Sequence, residues 1–155
     1  VAVQSDYGMG GAASKIVGSI LSTSPSTTVY DVTSAIPKGD VATASCAMYS
    51  FFQFFPVGSV CLSLVGEGRP CVVKTSRGRY IVTPDNGTLT LLKKEFGIDA
   101  VREIDETVNR LKGTEKTSIF HGRDLFAYCA ARLASGVIDF EGVGPEYPVE
   151  EIVLY

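Results

Sequence analysis

The stretch Thr117-Ser118-Ile119-Phe120-His121-Gly122-Arg123-Asp124-Leu125-Phe126 carries the only histidine of the chain and changes character within a few residues. Ile119 and Phe120 favour extended backbone, Gly122 permits a tight turn, and the spacing Leu125, Phe126, Cys129, Ala130, Leu133 makes one apolar helix face. The spacing predicts a strand-to-helix corner at His121. The first turn of a helix leaves backbone N–H groups without intrahelical partners, and an imidazole beside them can act as acid, base or donor near neutral pH. The same residues admit a purely structural reading. In that reading Asp124 caps the helix, Arg123 is solvated, and His121 fills the corner with its ring hydrogen-bonded.

Outward from this corner the chain alternates strand and helix signals. Val1 to Gln4 reads as a strand, Ser5-Asp6-Tyr7-Gly8-Met9-Gly10-Gly11 as a glycine-rich loop, and Ala12 to Leu21 as a helix stopped by Ser24-Pro25-Ser26. The β-branched run from Thr27 to Thr33 predicts a second strand. Ile36-Pro37-Lys38-Gly39-Asp40 predicts a turn with Asp40 as N-cap, opening a very apolar helix from Val41 to Phe55 that Pro56 ends. Ser59 to Val65 returns to strand. Cys71 to Lys74 and Arg79 to Thr83 flank Thr75-Ser76-Arg77-Gly78 as a hairpin, and Pro84-Asp85-Asn86-Gly87 leads into a helix through Leu89, Leu92 and Phe96. Ala100 to Ile104 reads as a short strand, and Asp105 to Glu115 as a surface connection.

These units predict the α/β class: a largely parallel sheet with helices on both faces, three layers in a single domain. In such folds ligands sit beyond the carboxyl ends of strands. Three loops are placed to leave strands that way, carrying Asp6, Gly66-Glu67-Gly68-Arg69, and His121. Function is expected where they converge.

Bulk properties remove several classes. A length of 155 residues suits one domain, and no apolar run reaches the roughly 20 residues of a membrane helix. A net charge of −3 without a lysine or arginine cluster offers no footprint for nucleic acid. Cys46, Cys61, Cys71 and Cys129 lack zinc-site spacing and read as reduced core residues of a cytoplasmic protein. Val1-Ala2-Val3 resembles a buried strand rather than a signal peptide. Gly8-Met9-Gly10-Gly11 has neither the dinucleotide fingerprint nor a Gly-Lys-Ser/Thr, so neither nucleotide motif is supported. Asp6 suits a ribose diol, and equally a cap on the following turn.

Ser5-Asp6-Tyr7-Gly8 after a first strand, Ile36-Pro37 with Asp40, Phe54-Phe55-Pro56 with Gly58, Tyr80 with Pro84-Asp85-Asn86-Gly87, and Phe120-His121-Gly122-Arg123-Asp124 occur in one order. In that order they resemble the amino-terminal domain of the S-adenosylmethionine hydroxide adenosyltransferases, relatives of the fluorinase and chlorinase enzymes. The resemblance implies that residues 1–155 form such a domain. It also implies a homotrimer that uses S-adenosylmethionine as substrate with no cofactor, water or hydroxide attacking the ribose carbon bonded to sulfur. Asp6 would grip the ribose hydroxyls, with Tyr7, Gly8 and Asn86 also binding substrate. The backbone from Phe120 to Gly122 would hold substrate or nucleophile, and His121 with Arg69 would orient water.

The chain also departs from the family pattern. The family's hydrolytic members carry an aspartate before the arginine, whereas here the loop is shortened to Val65-Gly66-Glu67-Gly68-Arg69-Pro70 and Glu67 is the candidate replacement. Gly10 and Gly11 stand where a second aspartate is usual, and Gly39 where a bulky residue walls the pocket. The family's second, β-rich domain is expected to be absent from this chain. A different class of expectation follows from these losses: a degenerate relative serving as a nucleoside-binding or oligomer-forming protein. Alanine at His121 separates the two, since only an enzyme should lose its rate.

Overall fold

The computed structural model describes residues 1–114 and 120–155. Seven strands form one sheet: β1 (Ala2–Ser5), β2 (Tyr30–Thr33), β3 (Val60–Leu64), β4 (Arg69–Thr75), β5 (Tyr80–Asp85), β6 (Ile98–Glu103) and β7 (Glu146–Tyr147). Their order across the sheet is β2-β1-β3-β5-β4-β6-β7. The first four of these run parallel, while β4 is antiparallel to both β5 and β6, and β7 to β6. The α/β class with helices on both faces holds. The expected hairpin forms, with its first arm β4 set between β5 and β6 so that the sheet is mixed.

Alternation along the buried strands decides which helix covers which face. Leu62, Val72 and Val82 point to the side of Ile16, Ile20 and Leu125, on α1 (Gly11–Thr23) and the helical segment after His121. Their neighbours Cys61, Val73 and Ile81 point instead to Met48, Phe52 and Leu92, on α2 (Val41–Phe52) and α3 (Thr90–Glu95). A period of two in strands buried on both faces thus builds the three layers. Gln4 ties them together from β1, its Nε2 donating to Ser63 Oγ at 2.8 Å on β3 and to Ala44 O at 3.1 Å on α2.

Several expectations change. α2 stops at Phe52, where Phe54 and Phe55 fold back in turns onto Phe51 O and Phe52 O ahead of Pro56. Cys46 is exposed, because the inward face of α2 is set by Ala44, Ser45 and Met48, whereas Cys61, Cys71 and Cys129 are buried as expected. The connection after Asp105 contains α4 (Glu106–Asn109), and Asn109 is buried with Nδ2 donating to Val143 O at 2.8 Å. The predicted strand entry at Ile119 lies outside the described residues, and Phe120 is not in a strand. After His121 the chain enters a π-helical segment, Gly122–Ala127, before α5 (Tyr128–Ala134). Asp124 does not cap: it is buried, taking Arg123 Nε at 2.6 Å and Nη2 at 3.1 Å, so Arg123 is not merely solvated. No helix among the described residues is long and apolar enough to cross a membrane.

Phe52, 1% exposed between α2 and the sheet, makes the packing testable. Phe52→Ala is expected to cost about 3–5 kcal/mol in urea denaturation. Met9→Ala, at a fully exposed side chain, should change stability by less than about 0.5 kcal/mol.

Candidate functional site

The strand order reverses direction between β1 and β3: the chain leaves β1 for β2 at one edge, then crosses back to β3. A crevice opens beyond the carboxyl ends of two such strands. Asp6, the first residue after β1, occupies it. Its Oδ2 accepts from Gly39 N at 2.8 Å and from Gly66 N at 3.1 Å, so one carboxylate oxygen holds the loop before α2 and the loop after β3.

Both loops are built to receive it. Asp40 N donates to Pro37 O at 2.9 Å, closing a turn with Gly39 at φ 72°. Asp40 then caps α2, accepting from Thr43 N at 3.0 Å and Thr43 Oγ1 at 2.6 Å, and these bonds hold its carboxyl below the usual carboxylate range. Gly66 has φ 69°, and Asn86 Nδ2 donates to Val65 O at 2.7 Å, supporting the second loop from behind. Gly68 presses close to β5, where a Cβ would lie 2.8 Å from Asp85 O.

Tyr7 stands beside Asp6 and packs edge-on against Phe120, ring centroids 5.7 Å apart. A Cβ at Gly122 would collide with Tyr7 Oη, so the absence of a side chain there admits the phenol to the corner. Burial, with the Asp6 charge as a lesser cause, pushes the Tyr7 hydroxyl up to about 12.

Asp6, Tyr7, Glu67, Phe120, His121 and Gly122 all line one cleft of about 1060 Å³. Six of the nine expected site residues therefore meet. Lys38, which the sequence reading did not single out, lines the same cleft. Its signal was available in the turn Pro37-Lys38-Gly39, which must present a side chain next to whatever fixes Gly39. Three expected residues are not in the lining. Gly8 turns away with its N–H on Ser34 O at 2.8 Å, and Asn86 supports the Val65 loop. Arg69 lies over the Tyr147 ring at 4.2 Å and pairs with Glu103 at 3.6 Å, so it does not stand beside His121 in the lining. A smaller hollow of about 530 Å³ along α1 holds none of the expected residues. Among the described residues no group of three or more His, Cys, Asp or Glu could share a metal ion.

Comparison with known proteins places the chain in a family. Residues 1–144 match the family described as the SAM hydroxide adenosyltransferase N-terminal domain. The chain belongs to that family. A relative from Thermus thermophilus, named (R)-S-adenosyl-L-methionine hydrolase, is 34% identical over 160 residues, covering 96% of this chain and 61% of its own length. A protein of the same name from Salinispora tropica is 33% identical, covering 88% of this chain and 53% of its own length. This chain thus spans between about half and three-fifths of these relatives. Among solved structures, an uncharacterized conserved protein from Thermotoga maritima superposes with a TM-score of 0.87 at 30% identity, over 95% of this chain and 57% of that one.

Tyr7 gives the site a spectroscopic test. Because its folded value lies above the ordinary tyrosine value of about 10, its contribution to stability is fully present below pH 10 and is lost as pH rises toward 12. Ultraviolet titration against the Tyr7→Phe difference should place its midpoint near 12. Asp6→Asn should lower that midpoint without returning it to about 10, since burial is the larger cause. A Tyr7 midpoint at the ordinary value would contradict the buried corner.

Proposed function

We propose that this domain binds S-adenosylmethionine in the cleft and promotes attack of water or hydroxide on the ribose carbon bonded to sulfur, giving adenosine and methionine. The observation that carries this reading is the meeting of Asp6, Tyr7 and His121 in one cleft of a member of this family. A C–O bond forms as the C–S bond breaks, and the sulfonium departs with the bonding pair as a neutral thioether. No acid is needed at the leaving group. The surplus proton of an attacking water passes to His121 or to solvent. What the protein must supply is alignment of the nucleophile opposite sulfur and exclusion of competing water.

In this reading Asp6 keeps Oδ2 on the two backbone N–H groups and turns Oδ1 to the ribose hydroxyls. Tyr7 and Phe120 wall the sugar, and the backbone at Phe120 to Gly122 borders the nucleophile. Gly8 acts as the turn beyond Tyr7, and Asn86 acts through the Val65 loop it supports. With Arg69 turned toward Glu103 and Tyr147, the water is given to His121. The reaction draws on no separate cofactor. The adenine end is completed by a second, β-rich domain of a neighbouring subunit in a cytoplasmic homotrimer. The greater length of the relatives and the exposed Tyr30, Phe54 and Val57 favour that assembly.

Incubation with S-adenosylmethionine should release adenosine and methionine in equal amounts. His121→Ala should lower the rate at least about 100-fold, while the variant still binds adenosine. No release by wild-type protein that carries the second domain, or an undiminished rate in the variant, would contradict the reading. A monomer in sedimentation would contradict the trimer.

A further inference from the structure

Two side chains close to His121, those of Arg123 and Asp124, have no task in the proposed chemistry. The Asp124 side chain is 1% exposed, and its carboxylate takes both ends of the Arg123 fork, Nε at 2.6 Å and Nη2 at 3.1 Å. Two bonds from one planar guanidinium fix its orientation as well as its position. The guanidinium carbon then lies 5.5 Å from the centroid of the Phe120 ring, within reach of attraction between a cation and a ring face. The backbone converges on the same residue. Phe120 O accepts from Asp124 N at 2.9 Å and from Arg123 N at 3.2 Å, so Phe120 is held at its carbonyl as well as at its ring. The holding residues are themselves anchored: Ser19 Oγ on α1 donates to Arg123 O at 3.1 Å, and Leu111 N donates to Asp124 O at 2.8 Å.

We infer that Arg123 is a positioning residue for the His121 corner: clamped by Asp124, its guanidinium fixes the Phe120 ring, and through that ring the Tyr7 phenol and the turn that carries His121. The Phe120 ring meets Tyr7 edge-on, and its Cε1 would lie 3.2 Å from a Cβ on Gly122. His121 stands between Phe120 and Gly122, so its backbone is set from both sides. Arg123 lines the hollow along α1 and not the cleft, so it acts through Phe120 rather than on a ligand in the cleft. Lysine is no substitute, because its point charge neutralises Asp124 but offers neither a fork nor a flat face. The value of this placement for catalysis rests on the proposed function; the placement itself does not.

Arg123→Lys, and the double variant Arg123→Met with Asp124→Leu, test this because each leaves the local net charge unchanged. Neither strands a buried carboxylate without a counter-charge, and retained exchange protection at Leu62 and Val82 shows that they are folded. Ultraviolet titration is read as the difference from the same protein carrying Tyr7→Phe. In both variants it should bring the Tyr7 midpoint from near 12 down to about 11.5 or lower, as water reaches a loosened phenol. With the second domain present, kcat for adenosine release should fall about tenfold or more while KM stays within about threefold. A midpoint that keeps its wild-type value in the folded variants would overturn the inference and leave the proposed function standing. A lowered midpoint beside an unchanged kcat would overturn the catalytic value of the placement. A lowered midpoint in a protein whose wild type, second domain included, releases no adenosine would overturn the proposed function and leave Arg123 as the residue that positions the corner.

Discussion

One carboxylate oxygen, Asp6 Oδ2, accepts two backbone N–H groups from residues 33 and 60 positions further along the chain. Charge-assisted bonds of this kind are stronger than neutral ones, and they fix loop backbone that has no ladder partner of its own. The bond to Gly39 sets the turn that opens α2, and the bond to Gly66 sets the exit from β3. The mouth of the cleft is therefore defined at its centre rather than at its rim. Both receiving glycines have positive φ, a geometry in which a side chain at either position would strain the backbone.

Behind this knot the support is layered. Asn86 steadies the Val65 carbonyl, and Asp85, next to it, is buried and takes Tyr147 Oη at 2.8 Å and Val153 N at 2.9 Å. Residues near the carboxyl end of the chain thus help hold the end of β5, against which Gly68 packs. Beside Asp6, Tyr7 packs against Phe120 at the start of the π-helical segment. A segment of that kind widens the backbone and is often found at functional sites. The cleft is open to solvent where His121 and Glu67 are exposed, and closed below by strands buried on both faces.

Much of this was legible in the sequence because local signals and burial agreed. The strand and helix order came from apolar periodicity, and Asp6, His121 and Gly122 were found because glycine turns and strand exits mark where a fold exposes polar groups. What escaped the sequence was set by long-range geometry. The placement of β4 between β5 and β6 depends on pairing partners that no local pattern specifies. The direction of Arg69 is decided by Tyr147 and Glu103, distant in the chain and brought alongside by the sheet. Asp124 has the sequence profile of a helix cap, yet the π-helical turn draws it inside, where Arg123 meets it. Lys38 was hidden for the opposite reason: an exposed lysine in a turn has no distinguishing neighbours until Asp6 is seen to fasten the next residue.

The central claim, that the Asp6 carboxylate fastens two loops into one cleft, is tested most directly by amide hydrogen exchange in Asp6→Ala. Exchange at Gly39 and Gly66 should accelerate by roughly 10- to 100-fold, while core amides such as Leu62 and Val82 keep their wild-type protection. Unchanged exchange at both glycines would contradict it.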